Sequence, residues 1–406
     1  MTGISSISAS EKNSPTPAKA RISSIDLLRG LVMVIMPIDH LRDLLHIGHP
    51  DPTDLHTTTT VLFFTRWITH FCAPTFVFLS GISAFLAGKH RTNHQLAGFL
   101  LKRGLWLIFV ELVIINFITA LDPSFYLFVL QVIWAIGGSM VILGLLVWMR
   151  LNPTAIGLIG LFIFLGHNVI DQLHNNTINT NFTWRILLSS DGFSKVDTIA
   201  PGHILLAAYA LLPWTGVMLC GYGLGKLYLL GADERKRILA RLGLGLLVFF
   251  FLLRWLNIYG DPSPWSVQQN GWVTCMSFLN VTKYPCSLLY LCMTLGFALL
   301  LLAYTEKAGN RLSNILIVYG NVPFFYYVLH WATAQAITVV LFFSAGHHLT
   351  DMNADKTGFP FSPNNAGVPL AGIYLAWPLL LAILYFPCRW FGQYKRTHRQ
   401  WWLSYL

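Results

Sequence analysis

The sequence predicts an all-α protein, a polytopic transmembrane helix bundle of about ten spans with both termini cytoplasmic. Three observations carry this expectation. Hydrophobic residues make up 55% of the 406 positions and charged residues only 11%. The apolar residues fall in runs of about twenty, the length that crosses a bilayer as a helix. Lys and Arg gather in alternate loops, as the positive-inside rule requires. A soluble fold does not fit this pattern.

The spans are expected at Ile25–Ile47, Val61–Ala87, Leu100–Ala120, Tyr126–Met149, Ala155–Ile170, Gly202–Leu230, Leu242–Tyr259, Ser287–Tyr304, Ile315–Ala345 and Pro369–Trp390. Residues 1–24 read as a disordered cytoplasmic N-terminus, polar and without the apolar core of a signal peptide. Residues 25–390 form the transmembrane domain, and residues 391–406 a basic, aromatic cytoplasmic tail. Kinks or tilts are expected at Pro37, Pro213 and Pro323. The loops Asn175–Asp197, Gly260–Cys286 and Gly346–Val368, rich in aromatic and amide residues, fall on the far side and offer places to meet a polar ligand. The net charge of +10 is then a matter of topology and anionic lipid rather than nucleic acid. The six cysteines show no metal spacing, and Cys72, Cys220, Cys286, Cys292 and Cys388 sit in or beside apolar spans; Cys275 and Cys286 could pair if their segment faces an oxidising compartment.

The first span is the unusual one. SIDLLRGLVMVIMPIDHLRDLLH holds Asp26, Arg29, Asp39, His40, Arg42 and Asp43, and an ionisable group at membrane depth costs roughly 2.5–3.5 kcal/mol on insertion scales. From Arg29 to His40 the helix turns about 1100°, so both side chains fall within about 20° of one face, roughly 16 Å apart along the axis. Asp26 and Arg29, three apart, either anchor the helix as a pair or present a fork of donors to an anionic group arriving from the cytoplasm. His40 is the side chain best suited to take or give a proton near neutral pH, with Asp39 or Asp43 to orient it, unless it is a satisfied structural histidine.

Other polar groups converge on this stripe. Glu111 lies deep in the third span and should face the bundle interior, with Arg254 as a possible ion-pair partner. His330 follows the Gly/Pro-interrupted start of YGNVPFFYYVLH, where backbone freed by Pro323 can line a cavity. Lys283 and Tyr284 stand where a far-side loop enters the eighth span, able to hold a polar acceptor or to mark the interface. GYGLG, Gly221 to Gly225, reads as a close-packing site for helices. Fourteen histidines include no arrangement suited to haem, and neither metal nor resident cofactor is expected.

Four segments in order, RISSIDLLRGLVMVIMPIDH, FCAPTFVFLSGISAFL, NVTKYPCSLLYLCMTLGFALLLL and YGNVPFFYYVLH, resemble bacterial members of the heparan-alpha-glucosaminide N-acetyltransferase catalytic-domain family over nearly the whole chain. The first helix is also similar to that of membrane O-acyltransferases of bacterial surface sugars, which share an Arg, ten intervening residues and a His, here Arg29 and His40. The resemblance implies transfer of an acyl group, expected to be acetyl, from cytoplasmic acyl-CoA to a hydroxyl or amine of a sugar-like or other cell-envelope acceptor on the outer face. It implies an inner-membrane, multi-pass enzyme with acetyl-CoA or another acyl-CoA as co-substrate. Arg29, with Asp26, would sit near CoA. His40 would act as general base or transient acyl carrier, direct transfer being the favoured course, with Asp39, Asp43 and His330 as catalytic candidates. Lys283, Tyr284 and Glu111 would face the acceptor. The family's lysosomal enzyme has Asn at the position of His40 and takes its catalytic His from the loop beyond, where this chain offers His46, His49 and His56. The rival reading of the same buried charges is a proton-coupled transporter or a flippase for a lipid-linked substrate, with Asp39, His40 and Glu111 as a proton relay.

Overall fold

The computed structural model describes residues 23–169, 182–188, 197–306, 308–352, 359–398 and 400–404. The expected disordered N-terminus, but for its last residues, and most of the Asn175–Asp197 loop lie outside the described residues. In chain order the helices are α1 (Ser23–Leu45), α2 (Thr60–Thr69), α3 (Cys72–Gly88), α4 (Asn93–Phe109), a π-helical turn (Val110–Ile115), α5 (Asn116–Ala120), α6 (Val132–Trp148), α7 (Pro153–Gly166), α8 (Phe182–Leu187), α9 (Leu211–Leu224), α10 (Ala232–Leu256), α11 (Gly271–Leu279), α12 (Leu288–Tyr304), α13 (Arg311–Gly320), α14 (Pro323–Ser344) and α15 (Leu370–Thr397). Short strands β1 (Leu127–Leu130), β2 (Asp197–Ala200) and β3 (His203–Ala207) make one sheet in the order β1-β3-β2. The β1–β3 pair is parallel, and β2 runs antiparallel to β3.

The helical class stands, and the expected ten spans are not reproduced as ten long helices. Among the described residues four helices are long and apolar enough to cross a membrane: Thr60–Gly88, which bends between α2 and α3, then α10, α14 and α15. α6, α7 and α12 are apolar but shorter. The fourth and sixth expected spans open as strands β1 and β3, because an apolar run of four or five residues suits a strand as well as a helix. The ninth breaks between α13 and α14, where Pro323 takes the first turn of a new helix, the position that tolerates its missing N–H. Pro213 likewise sits in the first turn of α9, while Pro37 lies inside an unbroken α1. The tenth extends to Thr397, so the first residues of the expected tail are helical. All six cysteines are free, so Cys275 and Cys286 do not pair.

α1 has the length of a span at 23 residues, but it carries too much charge to count among the apolar helices. It lies inside the bundle, packed against α2, α3, α12, α13, α14 and α15. Leu28, Val32, Met33, Leu41 and Leu44 are all buried. Protein thus surrounds the charges that lipid would reject. The outer helices show the reverse: Leu375, Leu379, Ile383, Phe386 and Trp390 stand exposed along α15, as do Leu158 and Phe162 on α7. Apolar side chains on the outside and ionic ones within is the arrangement of a bilayer-embedded bundle.

Several helix crossings bring backbone against backbone at glycines, most closely at two of them. A Cβ on Gly30 would lie 1.9 Å from the Leu316 carbonyl oxygen, and one on Gly320 would lie 1.9 Å from that of Asp26. α1 and α13 therefore meet with no side chain between them. The same holds for α3 and α9, where a Cβ on Gly81 would meet Met218 O at 2.1 Å and one on Gly221 would meet Phe78 O at 2.2 Å. Replacing Gly320 by Val forces these helices apart, and overpacking of this kind costs about 1–3 kcal/mol or more. Thermal unfolding of Gly320→Val in detergent is expected to show a clearly lowered Tm. An unchanged Tm would show that the contact is not closed as described.

Candidate active site

A cavity of about 1420 Å³ opens at the C-terminal end of α1. Its wall takes Asp39, His40, Arg42 and Asp43 from α1, Arg66 from α2, Lys283 and Tyr284 from the loop before α12, and Tyr327 and Trp331 from α14. Five of the nine residues nominated from sequence meet there: His40, Asp39, Asp43, Lys283 and Tyr284. His330 stands directly behind His40 and is fully buried.

His40 Nδ1 lies 2.7 Å from His330 Nε2, and its ring stacks on Trp331 with centroids 4.1 Å apart. His330 Nδ1 is 3.3 Å from the carbonyl oxygen of Tyr326, one turn earlier on α14. A carbonyl only accepts, so the proton of a neutral His330 belongs on Nδ1 and its Nε2 is the acceptor. His40 must then donate from Nδ1. Its Nε2 lone pair is left without a protein hydrogen bond among the described residues, on a side chain that lines the cavity. Such an arrangement fixes the ring and tautomer of a base, the part more often played by a carboxylate behind the histidine.

Asp39 does not take that part, although it is the neighbour in sequence. Its carboxylate receives Arg66, lies 2.8 Å from Arg42 Nη2 and has Lys283 Nζ at 3.8 Å. Asp43 is engaged by Arg42 Nη2 at 2.6 Å and does not reach His40 either. Two arginines and a lysine converge on Asp39 because α1, α2 and the loop before α12 each bring one cation. Lys283 also lies over the Tyr284 ring, 5.0 Å from its centroid, and Arg66 lies 5.9 Å from it.

The loop that carries Lys283 and Tyr284 is held at several points. Asp261 accepts from Thr282 N and Oγ1 and from Ser287 Oγ at 2.7–2.9 Å. Asn168 accepts from Leu288 N, and His167 Nε2 donates to Cys286 O. Arg254 donates to the carbonyls of Ser263, Ser277, Phe278 and Asn280 at 2.8–3.1 Å. Its carboxylate neighbour is Asp261 at 3.9 Å, so the Glu111–Arg254 pair expected from sequence does not form. At the cavity rim the Ser124 hydroxyl and amide and the Tyr126 amide bond Asp122. These bonds hold its carboxyl below the usual range.

Glu111 does not line the cavity. It is fully buried in the π-helical turn, where Oε2 accepts from Trp134 N at 3.2 Å and caps the otherwise uncapped start of α6. Its neighbour Asn116 donates to Glu111 O and accepts from Val129 N, joining the turn to β1. The wide π-helical ring gives the Asn116 side chain access to the carbonyl five residues back. Arg29 and Asp26 also lie off the cavity. Arg29 Nη1 donates to Asp26 at 3.1 Å and to Gly320 O at 3.2 Å, while Nη2 donates to Ser83 at 3.0 Å. Its fork clasps α1 to α13 and α3.

Of the loop histidines, His46 and His49 line the cavity, with His49 Nε2 bonded to Ser362 O at 2.9 Å; His56 lies in a smaller neighbouring pocket. Sequence reasoning missed Arg66, His70, Tyr327 and Trp331. The first two had a signal: an Arg and a His within the apolar stretch VLFFTRWITHFCAP are subject to the same cost that marked α1.

The chain matches the family described as heparan-alpha-glucosaminide N-acetyltransferase, catalytic, over residues 21–259. No curated protein matches it. The matched segment runs from the start of α1 past the end of α10 and includes His40, Asp39, Arg42 and Arg66, whereas Lys283 and His330 complete the site from beyond it. With more than half of its 406 residues matched, the chain belongs to the heparan-alpha-glucosaminide N-acetyltransferase catalytic family.

Proposed function

We propose that the protein is a multi-pass inner-membrane acyltransferase that moves an acyl group, acetyl in our reading, from acyl-CoA to a hydroxyl or amine of a sugar-like cell-envelope acceptor held in the cavity. The observation that carries this reading is the His40–His330 pair, 2.7 Å apart, with the second nitrogen of His40 left for a group in the cavity. In the reaction, His40 Nε2 takes the proton as the acceptor oxygen or nitrogen attacks the thioester carbonyl. The C–S bond then breaks, and the proton passes to the departing CoA sulfur. His330 accepts the Nδ1–H of His40 throughout and keeps the ring in register. Trp331 limits the ring to one plane by stacking on it. Direct transfer needs no acyl-enzyme and is the course adopted here.

The donor half is proposed at the opposite end of α1, on the Lys- and Arg-rich side that the positive-inside rule assigns to the cytoplasm. Arg29 and Asp26 lie there, already engaged with each other, with Ser83 and with the Gly320 carbonyl. Contact of Arg29 with a CoA phosphate therefore requires those last two partners to be exchanged. The transporter reading uses the same buried charges but leaves acyl-CoA intact.

Three substitutions test the assignments in purified protein. His40→Ala is expected to lower kcat by about 10²–10⁴-fold while acyl-CoA still binds. Turnover within a few-fold of wild type would remove His40 as the base, and absence of any thioester turnover in folded wild type would favour transport. His330→Leu is expected to reduce kcat by about 10²-fold with little change in KM, because only the orientation of the base is lost. A matched rise in KM at unchanged kcat would give His330 a binding role instead. Arg29→Lys keeps the charge and loses the fork. It is expected to raise the Kd for acyl-CoA several-fold, whereas an unchanged Kd with a lowered Tm would leave Arg29 a helix clasp alone.

A further inference from the structure

We infer that the acceptor carries an anionic group, a carboxylate or a phosphate, bound beside the acylated atom by Arg42, Arg66 and Lys283; the word acceptor rests on the acyl-transfer reading, the anion site does not. Three cations meet two carboxylates in this part of the wall. Asp39 is buried and shared by all three. The Asp43 side chain is 42% exposed, and water screens much of its charge. The other carboxylates along the cavity, Asp51 and Asp122, are turned into their own loops by Thr53 and Ser124. Among the described residues the inner wall is left with an excess of positive charge.

Among the described residues two donors in the cluster have no hydrogen-bond acceptor. Arg42 is 6% exposed, and its Nη1 is buried with no partner. Lys283 is 9% exposed, and its nearest carboxylate oxygen, 3.8 Å away, is beyond hydrogen-bond length. A buried guanidinium N–H left unmatched costs free energy that an incoming oxyanion recovers. Carboxylate and phosphate have the charge and the paired oxygens that an Arg and a Lys together recognise.

CoA itself also bears phosphates, yet its geometry places them elsewhere. Arg42 is two residues from His40 on the same helix, whereas the phosphates of CoA are separated from the thioester by the whole pantetheine arm. A thioester within reach of His40 Nε2 leaves those phosphates far from Arg42. The anion that fills this subsite belongs to the second substrate, and the reaction that supplies that substrate must be one that leaves an acidic group next to a free hydroxyl or amine.

The test is binding of glucose, glucuronate and glucose 6-phosphate to the full-length protein in detergent, without acyl-CoA, followed by ligand-observed NMR. At least one of the two anions is expected to bind about ten-fold or more tightly than glucose, the effect of one charge-assisted contact. Lys283→Met and Arg42→Gln are each expected to reduce that preference several-fold, and inorganic phosphate should compete in the unsubstituted protein, which requires no variant to fold. The inference is overturned if neither anion is preferred over glucose, or if the preference survives in both folded variants. It is also overturned if these variants weaken CoA binding instead, which would assign the cluster to the donor. Acetyl-CoA binding by the same preparation separates the two readings. Anion preference without acetyl-CoA binding removes acyl transfer and keeps the anion site, and acetyl-CoA binding without anion preference removes the anion site alone.

Discussion

A carboxylate buried among three cations is the interaction on which this architecture depends. Asp39 draws Arg42 from its own helix, Arg66 from α2 and Lys283 from the loop before α12 to one point, and so fixes three elements around the cavity. Buried ion pairs rarely add net stability, because desolvation offsets most of the attraction, but removing one partner leaves a charge uncompensated and is strongly destabilising. The cluster therefore specifies where these elements meet rather than how stably the bundle folds. What it builds is a cluster of cations next to the His40–His330 pair.

Glycine contacts supply the other half of the frame. With Gly30 against Leu316 and Gly320 against Asp26, α1 lies directly on the backbone of α13, and the chain then turns at Pro323 into α14. The start of α14 brings Tyr326, His330 and Trp331 up to α1, so the chain that crosses α1 closely toward one end returns to meet His40 toward the other. Arg29 reinforces the crossing through Gly320 O and Ser83. A residue nominated as a ligand from its position on a polar stripe thus holds the helix that carries His40. Stripe and clasp are compatible, since both follow from a charged helix that must be enclosed by protein.

Much of this was legible in the sequence, for a physical reason. Ionisable residues in apolar segments are costly, and that rule led to Asp39, His40 and Asp43; the broken start of its span added His330, and the entry of a far-side loop added Lys283 and Tyr284. The rule says nothing about partners. Nothing local announces that a histidine at 330 will lie behind one at 40, or that Asp39 will turn to Arg66 instead of its neighbour, because such pairs are made where helices 290 and 27 residues apart in sequence cross. Glu111 shows the same limit: its depth was readable, its task of capping α6 was not. The strands β1 and β3 were lost inside apolar runs read as helix, where hydrophobicity does not separate the two states.

The most direct test of the account is a structure of the full-length protein with a non-hydrolysable thioether analogue of acetyl-CoA. The account predicts the carbonyl of the analogue in the cavity near His40 Nε2, with room for an acceptor atom at about 3–3.5 Å from that carbon, and the nucleotide toward the Arg29 end of α1. A carbonyl bound away from His40, with the pair at His330 undisturbed and the cavity empty of the donor, would contradict it.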